Sequence, residues 1–405
     1  MLPRGSSQRQ ERASERMNVR QKPRLLSKES SAKAPVTGVI NQGSIDYTLC
    51  FVTVVLVLIG IIMVFSAGFY NAATRPQFGF NMFHFVQRQG IFAALGFVAM
   101  YFMSKIPYRL MLRSGWPLYI VSGVMLVYVT IMAEATGGAR RWIEIAGVRF
   151  QPSEVMKVAI IMLVAYMIFR NKKALDTWKG LFFHTAIVGF ATFLVILEDF
   201  STALVIAAIG MGMLFIASPH VTRFVAMGTA GIGAVVVYLV FLADNFRSAR
   251  VQAWLDPFSD PLGFGYQPIQ SLYAIASGGL LGLGIGQSRQ KSFLPEPQND
   301  MIFAIITEEL GLAGAALILS LFAILIWRMV KVAMNATDMF GSLVATGAAV
   351  MIASQVLINV AVVTNSIPNT GVTLPFISFG GTSLLVTMFL VGVVLNISRY
   401  HREQS

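Results

Sequence analysis

The fold is decided by the stretch YTLCFVTVVLVLIGIIMVFSAGF, residues 47–69, which contains no Lys, Arg, Asp or Glu. A helix needs about 20 mainly apolar residues to cross the roughly 30 Å hydrocarbon core of a bilayer. Nine further stretches have a similar character. We therefore predict an all-α, polytopic integral membrane protein with about ten transmembrane helices, over 47–69, 85–104, 116–133, 153–169, 181–197, 201–217, 224–243, 301–327, 341–364 and 376–397.

The composition of the whole chain agrees with a membrane protein. Of its 405 residues, 56% are hydrophobic and only 12% are charged, against roughly 25% charged residues in soluble proteins. Cys50 is the only cysteine, which excludes an intrachain disulfide and a cysteine-rich metal site. The alternating segments of an outer-membrane barrel are absent, and the spacing of the spans leaves no room for a separate soluble domain.

The segments between the spans predict how the chain is oriented. Residues 1–44 contain nine Lys or Arg and few apolar residues, which is typical of a disordered tail. If this tail is cytoplasmic and the chain alternates, the inner segments carry more than twice as many basic residues as the outer ones, as membrane insertion favours. Both termini are then cytoplasmic, with a membrane domain over 45–400 and a short tail over 401–405. The net charge of +12 follows from this arrangement, so we predict no nucleic-acid partner.

One long loop, residues 244–300 between spans seven and eight, lies on the predicted outer side. Long loops in compact proteins are usually functional or disordered. Aromatic residues along this loop argue against disorder, namely Trp254, Phe258, Phe264, Tyr266 and Tyr273. Its apolar part, 269–286, is too rich in glycine for a spanning helix, so we interpret it as an interfacial or re-entrant segment.

The first motif with candidate chemistry is GARRWIEIAGVRFQPSEVMK, residues 138–157. Arg140 and Arg141 are adjacent cations on the outer side, and Glu154 and Lys157 share one helix face. A lysine within a span costs roughly 2.5–3.5 kcal/mol on insertion scales and needs a partner. Two interpretations stay open: a structural Glu154–Lys157 pair with arginines at the lipid headgroups, or an anion site in which the cations bind phosphate oxygens.

Carboxylates occur in two further motifs, ILEDFSTA (196–203) and SFLPEPQNDMIFAIITEELG (292–311). Asp199 either caps the following helix or faces a cavity as a proton acceptor or metal ligand. Asp300, at the outer entrance of a span after a proline-stiffened turn, either caps that helix or acts as a general base. Glu308 and Glu309 lie within the span and need partners, for which Lys157 or an arginine is a candidate.

Glycine and proline dominate two other motifs. SGGLLGLGIGQSRQK (277–291) lacks the strand and helix of a nucleotide-binding loop, so we predict close packing or a bend there. NSIPNTGVTLPFISFGGTS (365–383) breaks the helical pattern at the outer end of the last span. Broken helices at this depth line cavities or are buried in protein. All five motifs lie within reach of the outer face, which predicts an outward-facing cavity with cations and carboxylates.

Together these motifs resemble the signatures of the shape, elongation, division and sporulation family, the polytopic peptidoglycan glycosyltransferases that include FtsW and RodA. The resemblance covers roughly 45–400 and rests on GARRWI, FQPSEVMK, EDFSTA, DPFSDPLGFGYQPIQS, LPEPQNDMIFAIITEELG and TGVTLPFISFGGTS. LPFISFGGTS and NISRYHR are more similar to the FtsW/SpoVE branch than to the RodA branch. Family members often have His-Thr before the aspartate, where this chain has Gln298 and Asn299.

The resemblance implies lipid II as the substrate and a reaction that joins the 4-hydroxyl of one unit to the anomeric carbon of the growing chain, releasing undecaprenyl pyrophosphate. It implies Asp300 as the general base. It also implies a substrate-binding set in which cations bind pyrophosphate, Trp142 packs against lipid or sugar, and carboxylates orient the cations: Arg140, Arg141, Trp142, Gln151, Glu154, Lys157 and Asp199. A divalent cation (Mg or Mn) at those carboxylates stays open, because no ligand cluster is spaced for one.

The resemblance also implies partners and a location. These are a class B penicillin-binding protein acting as transpeptidase, other division proteins, and the cytoplasmic membrane at the division septum. Two other functions stay open: a lipid II flippase, and a non-enzymatic scaffold of the division machinery. Charges within the spans lie toward the outer half, which favours chemistry at the outer face over a path through the membrane.

Overall fold

The computed structural model describes residues 43–132, 141–145, 148–196, 199–237 and 245–400. Within these ranges the chain is mostly helical. The helices, in chain order, are α1 Tyr47–Thr74, α2 His84–Lys105, α3 Gly115–Met132, α4 Pro152–Arg170, α5 Trp178–Ile196, α6 Phe200–Ala217, α7 Val221–Val237, α8 Asn245–Leu255, α9 Tyr266–Gly278, α10 Ile302–Asn335, α11 Met339–Val363 and α12 Gly381–Ser398.

Nine helices in the described part of the chain are long and apolar enough to cross a membrane: α1 to α6 and α10 to α12. They coincide with nine of the ten predicted spans. The remaining prediction, 224–243, coincides only in part with α7, which has 17 residues, and its end at 238–243 lies outside the described residues. The two predicted tails lie almost wholly outside them as well, and the predicted orientation of the termini stays a prediction.

Local sequence signals explain where several helices begin. Asp46 caps α1 by accepting a hydrogen bond from the Leu49 N–H at 3.0 Å, and Asp338 caps α11 through the Gly341 N–H at 2.8 Å. Pro152 occupies the first position of α4, where its missing N–H costs nothing. These polar caps lie at the ends of apolar segments, so the cap and the hydrophobic pattern determine the same boundary.

Helix α4 lies at the centre of the fold. In its most apolar 18-residue window 78% of residues are buried, against 28% in α2, α3 and α5. It packs against α3, α6, α11 and α12. Helix α12 is also largely enclosed and lies tightly on α2, because a Cβ at Gly392 would come within 2.6 Å of the Met100 carbonyl oxygen. Small residues allow this close approach of membrane helices.

The prediction of an all-α protein needs one correction. Residues Ile143–Ile145 and Val148–Phe150 form a short antiparallel hairpin, β1 and β2, with Glu144 opposite Arg149. The sequence carries the signal, since IEI and VRF alternate apolar and charged residues with the period of a strand. The hairpin leads directly into α4. It brings Arg141 and Trp142 close to the N-terminal end of that helix, where both line one cavity with Glu154.

The predicted long loop contains two helices, α8 and α9, and a glycine-rich turn. Helix α9 has 13 residues, too few to span a bilayer, and the turn after it packs on a break in α10 at Gly311, whose φ is +69°. The Glu308 and Glu309 carbonyls freed by the break accept the N–H groups of Leu283 and Gly284 at 3.0 and 2.9 Å. The break is therefore satisfied by protein, as buried irregular backbone must be.

The last span begins later than predicted, at Gly381 and not at 376. Pro375 is followed by Phe376 in a left-handed conformation with a φ of +64°, which ends any continuous helix. The preceding turn is held by Gln89 of α2, whose amide donates to the Ser378 carbonyl at 3.2 Å. The backbone from 371 to 380 therefore forms a wall between the helices.

Candidate active site

A cavity of about 450 Å³ lies where the hairpin, α4, α6, α11, the 295–300 turn and the 371–383 segment meet. Four of the five motifs line it, and the glycine-rich motif 277–291 does not. Seven of the eight predicted site residues are on its wall: Arg141, Trp142, Gln151, Glu154, Lys157, Asp199 and Asp300. The eighth, Arg140, lies outside the described residues.

Lys157 and Glu154 form the predicted ion pair on α4, with Lys157 Nζ 2.8 Å from Glu154 Oε2. Both side chains are nearly inaccessible, at 2% and 7% exposure, yet both contact the cavity. Burying two charges is costly, and their mutual attraction offsets that cost only when the geometry is good. The predicted Glu154–Lys157 pair is present and its cation borders the cavity, while the binding of an anion by that cation stays a prediction.

Asp199 caps a helix, as one prediction had it, and also lies on the cavity wall. It caps α6 by accepting hydrogen bonds from the N–H groups of Ser201 and Thr202 and from the Thr202 hydroxyl, the last at 2.9 Å. Its other contact is with Arg141, whose Nη1 lies 3.4 Å from Oδ2. Arg141 is one-third exposed while Asp199 is buried. Asp199, which is itself held at the start of α6, thus holds Arg141 at the cavity wall.

Asp300 lies just before α10 and is half-buried at the cavity wall. It is not the cap of α10, because the capping position is Met301 and no side-chain capping bond is made there. Burial, the largest cause, and the nearby Glu296 carboxylate raise the pKa of Asp300 to about 6, against the lowering effect of backbone N–H groups and of Arg250. A carboxylate with a pKa close to neutral is suited to accepting a proton.

Asn359 of α11 holds the Asp300 backbone in place. Its amide donates to the carbonyls of Asp300 at 2.7 Å and Val372 at 2.8 Å. The two residues that stand where the family often has His-Thr are also accounted for. Gln298 is buried and its backbone carbonyl accepts the Phe379 N–H. Asn299 lines the cavity, and its side-chain amide donates to the Glu296 carboxylate at 2.6 Å.

Sequence reasoning missed several residues at this site. Arg75, at the end of α1, and Gln355 of α11 line the cavity. Arg250 of α8 lies near enough that Asp300 and Asp199 act on its pKa, which burial and the charge of Arg141 lower. The available signal was the sign of the charge, since Arg75 and Arg250 are cations on the predicted outer side, where basic residues are disfavoured.

The expectation that Lys157 or an arginine side chain neutralises Glu308 and Glu309 is wrong. Glu308 accepts hydrogen bonds from the Ser288 hydroxyl and the Arg289 N–H. Glu309 accepts from the Ser66 hydroxyl at 2.6 Å and lies 3.7 Å from Lys291 Nζ. Lys157 is paired with Glu154. The hydrogen-bond donors to the Glu308 carboxylate, and the cation near Glu309, come from the glycine-rich turn. This cluster holds the turn on α10, away from the cavity.

Metal ligation was left open by the sequence. Across the described ranges, no group of three or more His, Cys, Asp or Glu is arranged to hold a metal ion. Glu154 and Asp199, the two carboxylates considered for a divalent cation, are each in contact with a protein cation.

Comparison with known proteins places this site in a family. Residues 47–403 match the profile of the FtsW/RodA/SpoVE family, described as "Cell cycle protein". Stage V sporulation protein E of Bacillus subtilis (strain 168) is 42% identical over 363 residues, which covers 88% of this chain and 98% of that protein. The probable peptidoglycan glycosyltransferase FtsW of Geobacter sp. (strain M18) is 37% identical over 358 residues, with 87% and 96% covered.

The fold of this chain is also similar to a solved structure. That structure is a chain from "Structural coordination of polymerization and crosslinking by a peptidoglycan synthase complex", with a TM-score of 0.74 and 25% identity. The similarity covers 89% of this chain and 99% of that one. Since the family profile spans nearly all of the helical part, the chain belongs to the FtsW/RodA/SpoVE family.

Proposed function

We propose that the protein is a peptidoglycan glycosyltransferase that polymerises lipid II into glycan strands at the outer face of the cytoplasmic membrane. Its family membership and a relative named as a probable peptidoglycan glycosyltransferase support this proposal. The observation that carries it is the convergence of Asp300 with Arg75, Arg141 and Lys157 on one cavity. One such cavity offers both a proton acceptor and cations for a departing pyrophosphate.

Asp300 is the general base of the proposed reaction. The 4-hydroxyl oxygen of one saccharide unit forms a bond to the anomeric carbon of the growing chain, and its proton passes to the Asp300 carboxylate. The bond from that carbon to pyrophosphate breaks, and its electron pair leaves with undecaprenyl pyrophosphate. A well-placed base contributes about 10²–10⁴ in rate.

The cations on the wall stabilise the departing pyrophosphate. Preorganised charges of this kind are often the largest electrostatic contribution to catalysis. Arg141 and Lys157 are held by Asp199 and Glu154, so their positions are fixed before the substrate arrives. Arg75 forms no ion pair with any residue that the structure describes, which leaves its full charge for the substrate. Arg140 and Trp142 complete the proposed substrate-binding set, together with Gln151.

The test is glycan polymerisation from purified lipid II by the protein with its cognate class B penicillin-binding protein, comparing wild type with Asp300→Asn. A matched control is Asp256→Asn, an exposed carboxylate of the same loop whose amide variant can still accept the Phe258 N–H. We expect polymer from wild type and control and none from Asp300→Asn. The transpeptidase alone must make no glycan.

The other outcomes are equally informative. Polymer from Asp300→Asn would remove Asp300 from the role of base and direct the search to Asp199 and Glu154. No polymer from the folded wild-type complex would favour a lipid II flippase or a scaffold of the division machinery. The proposal includes pairing with that transpeptidase, which the similarity to a chain of a peptidoglycan synthase complex supports. It also includes other division proteins as partners and the septum as the location.

A further inference from the structure

A second, smaller cavity adjoins the first. It has a volume of about 220 Å³, room for about seven water molecules or for one sugar ring in their place. Gln267 and Pro295 line both cavities, so the two spaces share a wall. Pro295 begins the turn that ends at Asp300 on the wall of the large cavity, so this one turn connects the junction with the proposed base.

Aromatic rings form much of the second cavity, and their polar ends are already bonded. Trp254 Nε1 donates to the Asn365 carbonyl at 3.1 Å, and the Tyr266 hydroxyl donates to the Phe293 carbonyl at 3.0 Å. Both rings are thereby fixed in place. What they offer a ligand is apolar ring surface, which packs well against the C–H faces of a pyranose.

Two amides supply the polar part of the wall. Asn369 Nδ2 donates to Gln267 Oε1 at 2.6 Å. That bond leaves the Gln267 amide nitrogen, a donor, and the Asn369 amide oxygen, an acceptor, without a hydrogen-bond partner among the described residues. A donor beside an acceptor matches a hydroxyl or an acetamido group, and a few such placed groups fix the orientation of a ligand.

Charge distinguishes the two cavities. Three cations line the large one, whereas Arg250 is the one cation that the described residues place on the wall of the small one. Arg250 also interacts electrostatically with Asp300 and Asp199, which lie on the large cavity. A pyrophosphate is therefore favoured in the large cavity, and an uncharged polar ring in the small one.

We propose that the small cavity binds the N-acetylated sugar whose hydroxyl accepts the new glycosidic bond. The inference rests on the proposed function and adds a second substrate position to it. The sugar packs on Trp254 and Tyr266 and bonds to the Gln267–Asn369 pair, so that its hydroxyl reaches across the junction to Asp300. The donor sugar and its pyrophosphate occupy the large cavity.

The test measures binding without turnover. The probe is the GlcNAc–MurNAc disaccharide without lipid, pyrophosphate or peptide. It is added to the full chain in nanodiscs saturated with undecaprenyl pyrophosphate and followed by ligand-observed NMR. We expect the disaccharide to bind while undecaprenyl pyrophosphate is present. We expect Asn369→Leu and Trp254→Leu to weaken it at least tenfold, and Ser259→Ala, an exposed position on the same loop, to change it less than twofold.

Undecaprenyl pyrophosphate provides the reciprocal measurement. Its Kd should stay within twofold in Asn369→Leu, which also shows that this variant of nearly equal volume is folded, and should rise in Lys157→Met. Displacement of the disaccharide by undecaprenyl pyrophosphate, unchanged disaccharide binding in both cavity variants, or loss of both ligands in both variants would overturn the second site.

The two proposals fail separately. A chain that binds the disaccharide as expected but makes no polymer contradicts the glycosyltransferase proposal alone. A chain that makes polymer but binds the disaccharide without regard to Asn369 and Trp254 contradicts the second site alone.

Discussion

The environment of the Asp300 carboxyl predicts how the polymerisation rate depends on pH. Its carboxyl must be ionised to accept a proton, and burial together with Glu296 raises its pKa to about 6. The polymerisation rate should therefore fall about tenfold per pH unit below that value and level off above it. Glu296→Gln removes a charge that raises this pKa, so the inflection should move to lower pH. Initial rates across pH 4.5–8.5 check both expectations, and an inflection that Glu296→Gln leaves in place would contradict the assignment.

Lys157 and Glu154 allow structural and functional roles to be separated. Lys157→Met leaves a buried carboxylate without its cation, and breaking a buried pair costs about 3–5 kcal/mol. The double variant Glu154→Gln/Lys157→Met removes both charges and should recover most of that stability. It should not recover polymerisation, because the cation that we propose for pyrophosphate binding is still missing. Thermal unfolding in detergent and the polymerisation assay, run side by side, distinguish these results. A double variant that is as active as wild type would assign the pair to structure alone.

At this scale seven of the eight site residues predicted from the motifs line one cavity, and their roles stay predictions. These residues could be selected from the sequence because a charge in or beside an apolar span is conspicuous. Arg75, Arg250 and Gln355 were missed for a physical reason. Arg75 and Arg250 are cations on the predicted outer side and Gln355 is a polar residue within a span, but none of them lies in one of the five motifs. Only the tertiary fold brings them to the site.

At the scale of elements, the turn that packs on the α10 break offers a matched pair of glycines. Gly282 and Gly286 both have a φ of +81°, but a Cβ at Gly282 would overlap the Glu309 carbonyl oxygen, whereas nothing lies within 4 Å of one at Gly286. Gly286→Ala should cost only the left-handed backbone strain, roughly 1–2 kcal/mol. Gly282→Ala adds a backbone clash and should be clearly more destabilising. Unfolding midpoints of the two variants measure the difference, and equal midpoints would mean that the turn is not packed as described.

Most elements could be predicted, and the exceptions have identifiable causes. Apolar length predicted the spans, because the bilayer imposes that length on any sequence. The hairpin at Ile143–Phe150 was missed although its alternating pattern was present, since the apolar segments around it dominated the interpretation. The break at Gly311 could not be predicted, because a single glycine in an apolar helix is common and only the partner turn makes this one irregular.

At the scale of the whole molecule, the prediction that is easiest to test is the orientation of the chain in the membrane. In a Cys50→Ala background, Ser259→Cys lies in the predicted outer loop and Lys172→Cys in a predicted inner one, and both positions are exposed. A membrane-impermeant maleimide applied to intact cells or spheroplasts should label Ser259→Cys and leave Lys172→Cys unlabelled until the cells are opened. The reverse pattern would invert the topology and would place the proposed active site on the wrong side for extracytoplasmic glycan synthesis.

The enclosure of α4 has a consequence for biosynthesis. This helix, which carries Glu154 and Lys157, is made about 170 residues before α11, and α11 and α12, which cover it, are the last two helices that the structure describes. A nascent chain must therefore hold a charged pair in the bilayer without these two neighbours until they have been made. We expect chains that terminate before residue 381 to present this pair to lipid and to be removed by membrane quality-control proteases, so that chains containing both covering helices accumulate.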